Sequence, residues 1–138
     1  MADVKAPGFG IKNIHGGAHA SGWQWAFVCK KTAVATGDVV MMGVIPDGIE
    51  LLEFRPLSDA AITVSLGSAP VAATDTVARN ETEFATGLAL TANTPAIVAL
   101  HPKHLLTERV LLMKVTTGSL TAAQVASIVV RGTRRGTP

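Results

Sequence analysis

The side chains in this chain that could do chemistry are four histidines, one cysteine and a close pair of glutamates. His15 and His19 stand four apart, a spacing that on a helix would turn two imidazoles to one face for a zinc ion. Gly16 and Gly17 lie between them and make a helix there unfavourable. His101 and His104 are three apart, but Pro102 interrupts the one helical face that would bring them together. The plain reading of all four is a solvated or locally hydrogen-bonded histidine. Cys29 alternates with Trp25 and Phe27, so its thiol is expected on an apolar face, where its pKa rises and it is inert. Glu81 and Glu83 share a strand face as a glycosidase pair could, yet no aromatic neighbour marks a sugar subsite, and solvent-facing carboxylates are the expectation. There is no GxSxG, HExxH or Walker loop, and Gly8 and Gly10 lack the strand before and the helix after that a dinucleotide fingerprint needs. A non-enzymatic protein is expected, with no catalytic residue, no cofactor and no metal.

Composition narrows the class further. With 138 residues the chain has the length of one domain, enough to bury roughly 68% of its unfolded surface without metal or disulfide staples. A lone cysteine cannot form an internal disulfide, so the fold is expected to tolerate a reducing cytoplasm. The N-terminus lacks an apolar signal-like region and no apolar run approaches the ~18 residues of a membrane helix, so a soluble, unprocessed protein with no membrane partner is expected. A formal charge of +2 is too small to imply direct nucleic-acid binding. Apolar residues make up 48% and charged ones only 16%, low against the ~25% usual for a soluble domain, which points to a surface covered by other subunits.

The elements that must position these residues are strands. Residues 37–67 read as strand, tight turn, strand, corner, strand. Val39, Val40, Met41, Met42, Val44 and Ile45 form an apolar run suited to a buried pleated surface, and Pro46, Asp47 and Gly48 supply turn chemistry after it. From Ile62 to Leu66 apolar and polar residues alternate. Residues 49–54, IELLEF, fit one helical turn nearly as well as a strand with a bulge. Further strands are expected at 71–78, 84–90, 96–100 (ended by His101 and Pro102), 109–116 and 125–130, with Glu81, Thr82 and Glu83 as a polar break. Thr121 and Gln124 have capping-box spacing and could hold one helical turn. Eight or nine short strands without a long helix predict an all-β protein, an antiparallel sandwich or barrel.

Three segments follow: an extended arm at 1–22, a sandwich at 23–131 and a basic tail at 132–138. The arm is glycine-rich, with Phe9, Ile11 and Ile14 as apolar anchors for a partner surface. Trp23, Trp25 and Phe27 recur at every second position and share one strand face, read first as core, with a subunit interface or a sugar-stacking platform as alternatives. Arg131, Arg134 and Arg135 are expected to be solvated and to steer an interface.

Taken together, GDVV at 37–40, the turn at Pro46, Asp47 and Gly48, and IELLEFRPLSDAAITVSLGSA at 49–69 resemble the head decoration, or cement, proteins of tailed bacteriophages. The strand ending at Val130 adds to the likeness. The resemblance implies a jelly-roll-like sandwich that binds the outside of a capsid, bridges neighbouring major capsid proteins and works as a dimer or trimer. It implies a place on the virion surface after synthesis in the host cytoplasm. The basic end of the chain departs from that pattern. A small carbohydrate-binding β-sandwich module is the competing reading, decided by whether Trp23 and Trp25 are exposed.

Overall fold

A computed structural model describes residues 2–6 and 22–134. Nine strands make up the described regular structure: β1 (Asp3–Lys5), β2 (Gly22–Cys29), β3 (Val39–Ile45), β4 (Ile49–Ser58), β5 (Ile62–Pro70), β6 (Asn80–Leu90), β7 (Val98–His104), β8 (Arg109–Thr117) and β9 (Ala126–Arg134). They form two sheets, one ordered β1-β3-β8-β5-β6 and the other β2-β9-β4-β7. Every pairing is antiparallel except that of β1 with β3. The inner faces of both sheets meet in one core, so the expected all-β sandwich is the observed architecture.

The core is filled by side chains at alternate positions. Phe27 and Cys29 on β2, Phe54 on β4, Val64 and Leu66 on β5, and Ile128 and Val130 on β9 are all buried. Two strands do not alternate, and the reason is visible. Leu111, Met113 and Val115 of β8 face the core, while Val110 and Leu112 are buried on the opposite face with Val39, Val44 and Ala69. The chain entering β6 crosses that outer face, where Arg79 reaches Asp3 on β1 and Glu81 reaches Lys114 on β8. Both faces of β3 and β8 are therefore covered, which requires the apolar runs seen in their sequences.

The turn after β3 forms as expected, with Gly48 at φ 80°, but it carries the chain to the other sheet instead of making a hairpin. The alternatives at 49–54 resolve to a strand: β4 shifts register between Leu51 and Glu53, so Leu52 is the extra residue of a bulge. Thr121 and Gln124 form a turn without a helix, in which Thr121 N–H donates to Gln124 Oε1 at 2.9 Å. That is the side-chain half of a capping box on its own.

Several expectations need correction. Residues 71–78 are not a strand, and 81–83 are not a break but part of β6. At Gly67 an added Cβ would lie 1.9 Å from the Asn80 carbonyl oxygen, so only glycine lets the start of β6 sit this close to β5. β7 runs through His101 and Pro102 to His104, tolerable because it is an edge strand. β9 does not stop at Val130. It continues to Arg134, because β2 and β4 pair with it on both sides up to Thr133 and Arg134. The N-terminal segment expected to hold no element contributes β1, which pairs with Val39, Val40 and Met41. Phe9, Ile11, Ile14, His15, His19 and Arg135 lie outside the described residues.

Candidate functional site

The described residues among those singled out for chemistry do not converge. Among the described residues no group of three or more His, Cys, Asp and Glu could hold a metal ion. Cys29 is buried, and loss of solvation pushes its thiol pKa up, as its place on the aromatic stripe predicts. His101 is exposed at the sandwich edge. Glu81 and Glu83 take different partners: Glu81 pairs with Arg79 and Lys114 on the outer face, while Glu83 accepts from Ser68 Oγ and pairs with Lys103. They are engaged carboxylates with separate partners, not the solvent-facing pair expected.

The polar cluster that the structure does build is centred on a residue the sequence did not flag. Arg109, at the start of β8, has a side chain only 5% exposed. Its Nε donates to Ser68 Oγ at 3.1 Å, its Nη1 to Asp75 Oδ2 at 3.0 Å and to the Val77 carbonyl at 2.8 Å, and its Nη2 to the Ala78 carbonyl at 3.2 Å. Asp75 also accepts from Thr107 Oγ1 at 2.8 Å and from Val77 N–H at 2.9 Å. The Val77 amide, Thr107 and Arg109 together hold the Asp75 carboxyl below its ordinary pKa. One guanidinium thus fastens the irregular segment between β5 and β6 to the central strand of its sheet.

Beside this cluster lies a pocket of about 310 Å³, bordered by Val77, Glu83, Lys103, Leu106 and Arg109. Its carboxylates and cations already partner one another. Lys103 also lies 5.6 Å over the Phe84 ring, which meets Phe54 edge-on at 4.8 Å. That arrangement ties the edge strands β6 and β7 together across the two sheets.

Among the described residues, the candidate interface positions Trp23, Trp25, Arg131 and Arg134 lie on the paired strands β2 and β9. Trp23 is 3% exposed, and its buried Nε1 has no hydrogen-bond partner. Trp25 is half-buried and packs against the core. The two tryptophans therefore form no exposed stacking platform, and the observation that would have favoured a carbohydrate module is missing. Arg131 was expected in a solvated stretch, but it belongs to β9 and its Nη1 donates to Glu53 Oε1 at 2.6 Å, directly across the strand pair. Glu53 also accepts from Arg55 Nε at 3.2 Å, and these cations, Arg131 foremost, lower its pKa. Arg134 closes β9 opposite Ile49. The sequence offered no signal for the cross-strand pair, since it depends on the register of β4 against β9 beyond the bulge.

No family model and no curated protein sequence matches this chain. Two solved structures do. A chain of the capsid of Ralstonia phage GP4 aligns over 99% of this chain and 99% of its own length, with a TM-score of 0.71 at 21% identity. A chain of the cyanophage Pam1 capsid asymmetric unit aligns over 93% of both chains, with a TM-score of 0.56 at 16% identity. The protein therefore shares its fold, over nearly its whole length, with chains found in the capsids of two different phages.

Proposed function

We propose that this protein is a structural, non-catalytic virion component that binds the outer surface of a bacteriophage head and stabilises it by bridging neighbouring major capsid proteins. The observation that carries the reading is the full-length likeness to a chain of the Ralstonia phage GP4 capsid, in which 99% of each chain is matched. The strand order supports it. With β1 set aside, β3-β8-β5-β6 facing β2-β9-β4-β7 is the order of an eight-stranded jelly roll, an architecture frequent in viral shells. Low charge suits a protein covered by neighbours on a lattice, where many weak contacts on a symmetric surface add up through avidity.

In this reading the major capsid protein and further copies of this chain are the partners. Phe9, Ile11 and Ile14 anchor the N-terminal segment on the shell, each supplying roughly 1.5–3 kcal/mol if fully buried there. Co-sedimentation with heads lacking the protein tests the proposal. Saturable binding at a fixed ratio to the major capsid protein is expected, with heads that resist heat or chelation better once coated. The triple variant Phe9→Ser, Ile11→Ser, Ile14→Ser should keep its melting temperature and lose binding. Purified protein that never co-sediments with heads of its own phage would overturn the reading.

A further inference from the structure

Leu106 and Val77 are large apolar side chains held in solvent, 62% and 59% exposed. They come from segments far apart in the chain, Val77 from the stretch between β5 and β6 and Leu106 from the turn between β7 and β8. Both nevertheless stand on the rim of one concavity, the pocket of about 310 Å³ beside Arg109. Exposed apolar side chains grouped around a hollow mark a surface that gains by being covered.

The two walls are tied to each other. Asp75 lies in one and Thr107 in the other, and Thr107 Oγ1 donates to Asp75 Oδ2 at 2.8 Å. From the floor, Arg109 Nη1 donates to the same carboxylate oxygen at 3.0 Å and to the Val77 carbonyl at 2.8 Å. An occupant therefore enters a pocket whose backbone is already ordered, which removes an entropic cost of binding.

The charges select the occupant. Two carboxylates and two cations line the pocket and are matched within it, Asp75 with Arg109 and Glu83 with Lys103. Loss of solvation, with Arg109 adding to it, pushes the Lys103 pKa down, so the site already disfavours positive charge. An incoming carboxylate would have to take a cation from Asp75 or Glu83 and leave that group unpaired. An uncharged apolar group disturbs neither pair and covers both Val77 and Leu106. Small-molecule sites run from roughly 300 to 1,000 Å³, so this volume suits one large side chain better than a cofactor.

We infer that this pocket is a socket for a single bulky, uncharged side chain, of the leucine, phenylalanine or tryptophan kind, presented by a partner protein. One apolar anchor seated in a preformed pocket is how many protein interfaces concentrate their binding energy. On the proposed function the partner is a protein of the head, but the socket itself can be probed without heads. Nuclear magnetic resonance spectra of the full-length protein are followed while N-acetyl-phenylalaninamide is added to about 20 mM, a range suited to one isolated side chain. Saturable shifts centred on Val77, Leu106 and Thr107 are expected, with N-acetyl-aspartamide and N-acetyl-lysinamide producing far smaller ones. The double variant Val77→Ser, Leu106→Ser alters exposed side chains and keeps the Val77 backbone bonds. It should retain the parent's melting temperature, lose the shifts and bind heads about tenfold or more weakly. No saturable shift with the phenylalanine probe, equal shifts with a charged probe, or a double variant that responds like the parent would overturn the inference. Heads that bind parent and variant equally well would also overturn it and leave the proposed function standing, whereas a socket that takes the probe in a protein no head binds would overturn only the proposed function.

Discussion

Replacing Arg109 by methionine keeps the length of an apolar stem at a position that is 5% exposed, and removes the whole guanidinium. Three of its four contacts go to uncharged acceptors: Ser68 Oγ, the Val77 carbonyl and the Ala78 carbonyl. A hydrogen bond with one charged partner contributes about 1.5–3 kcal/mol, so three near the lower figure set a ceiling of roughly 4–5 kcal/mol. The two carbonyls regain water once the segment between β5 and β6 lifts away, which brings the expected loss to about 2–4 kcal/mol. The Asp75 contact acts in the same direction. For a chain of this size each kcal/mol lowers Tm by about 4 °C, so a drop of roughly 8–16 °C is expected. Arg109→Lys keeps the charge but not the planar fork and should fall between the two. Thermal and urea melts by near-ultraviolet dichroism measure the loss, and limited trypsin digestion asks whether the bond after Arg79 opens first. A methionine variant within about 0.5 kcal/mol of the parent, with no new cleavage at Arg79, would refute the reasoning that one cation fastens this segment.

Asp75 has a folded pKa below its unfolded value, so its contribution is fully present above roughly pH 4 and is lost as pH falls through the lower, folded value. Acid titration of Asp75→Asn should accordingly show a shallower loss of stability below pH 4 than the parent. Gly67→Ala forces a Cβ to within 1.9 Å of the Asn80 backbone oxygen, which no side-chain rotation relieves, and should lower stability by about 1–3 kcal/mol or misalign β6, read as new amide-exchange sites at 80–85. Removing residues 1–6 deletes β1 with the bonds Val39 N–H to Ala2 O and Ala6 N–H to Met41 O, and the Asp3–Arg79 pair; a folded protein weakened by about 1–2 kcal/mol is expected, and an unfolded one would mean that β1 is required for the sandwich.

The sequence by itself determined the class of fold, most of the strands and the turn at Gly48, because alternation, β-branched runs and glycine turn chemistry act over a few residues and survive any packing. It also located the buried aromatic stripe of Trp23 and Phe27 and the inert Cys29. Its errors fall where a distant strand decides. β9 runs past Val130 to Arg134 because β2 and β4 hold it on both sides, and a basic, glycine-containing stretch gives no local hint of that. Residues 71–78 look like a strand by composition, yet Arg109, 31 residues beyond Ala78, takes the Val77 and Ala78 carbonyls that a ladder would need. Arg109 itself stands at the head of an apolar run, where local patterning marks a strand end and nothing more. The Glu53–Arg131 pair exists only because a one-residue bulge at Leu52 sets the register between two strands that are far apart in the chain. Local residue chemistry specified which segments extend, and only the tertiary structure decided which segments meet, because hydrogen-bond partners and charge pairs are chosen by register and not by sequence neighbours.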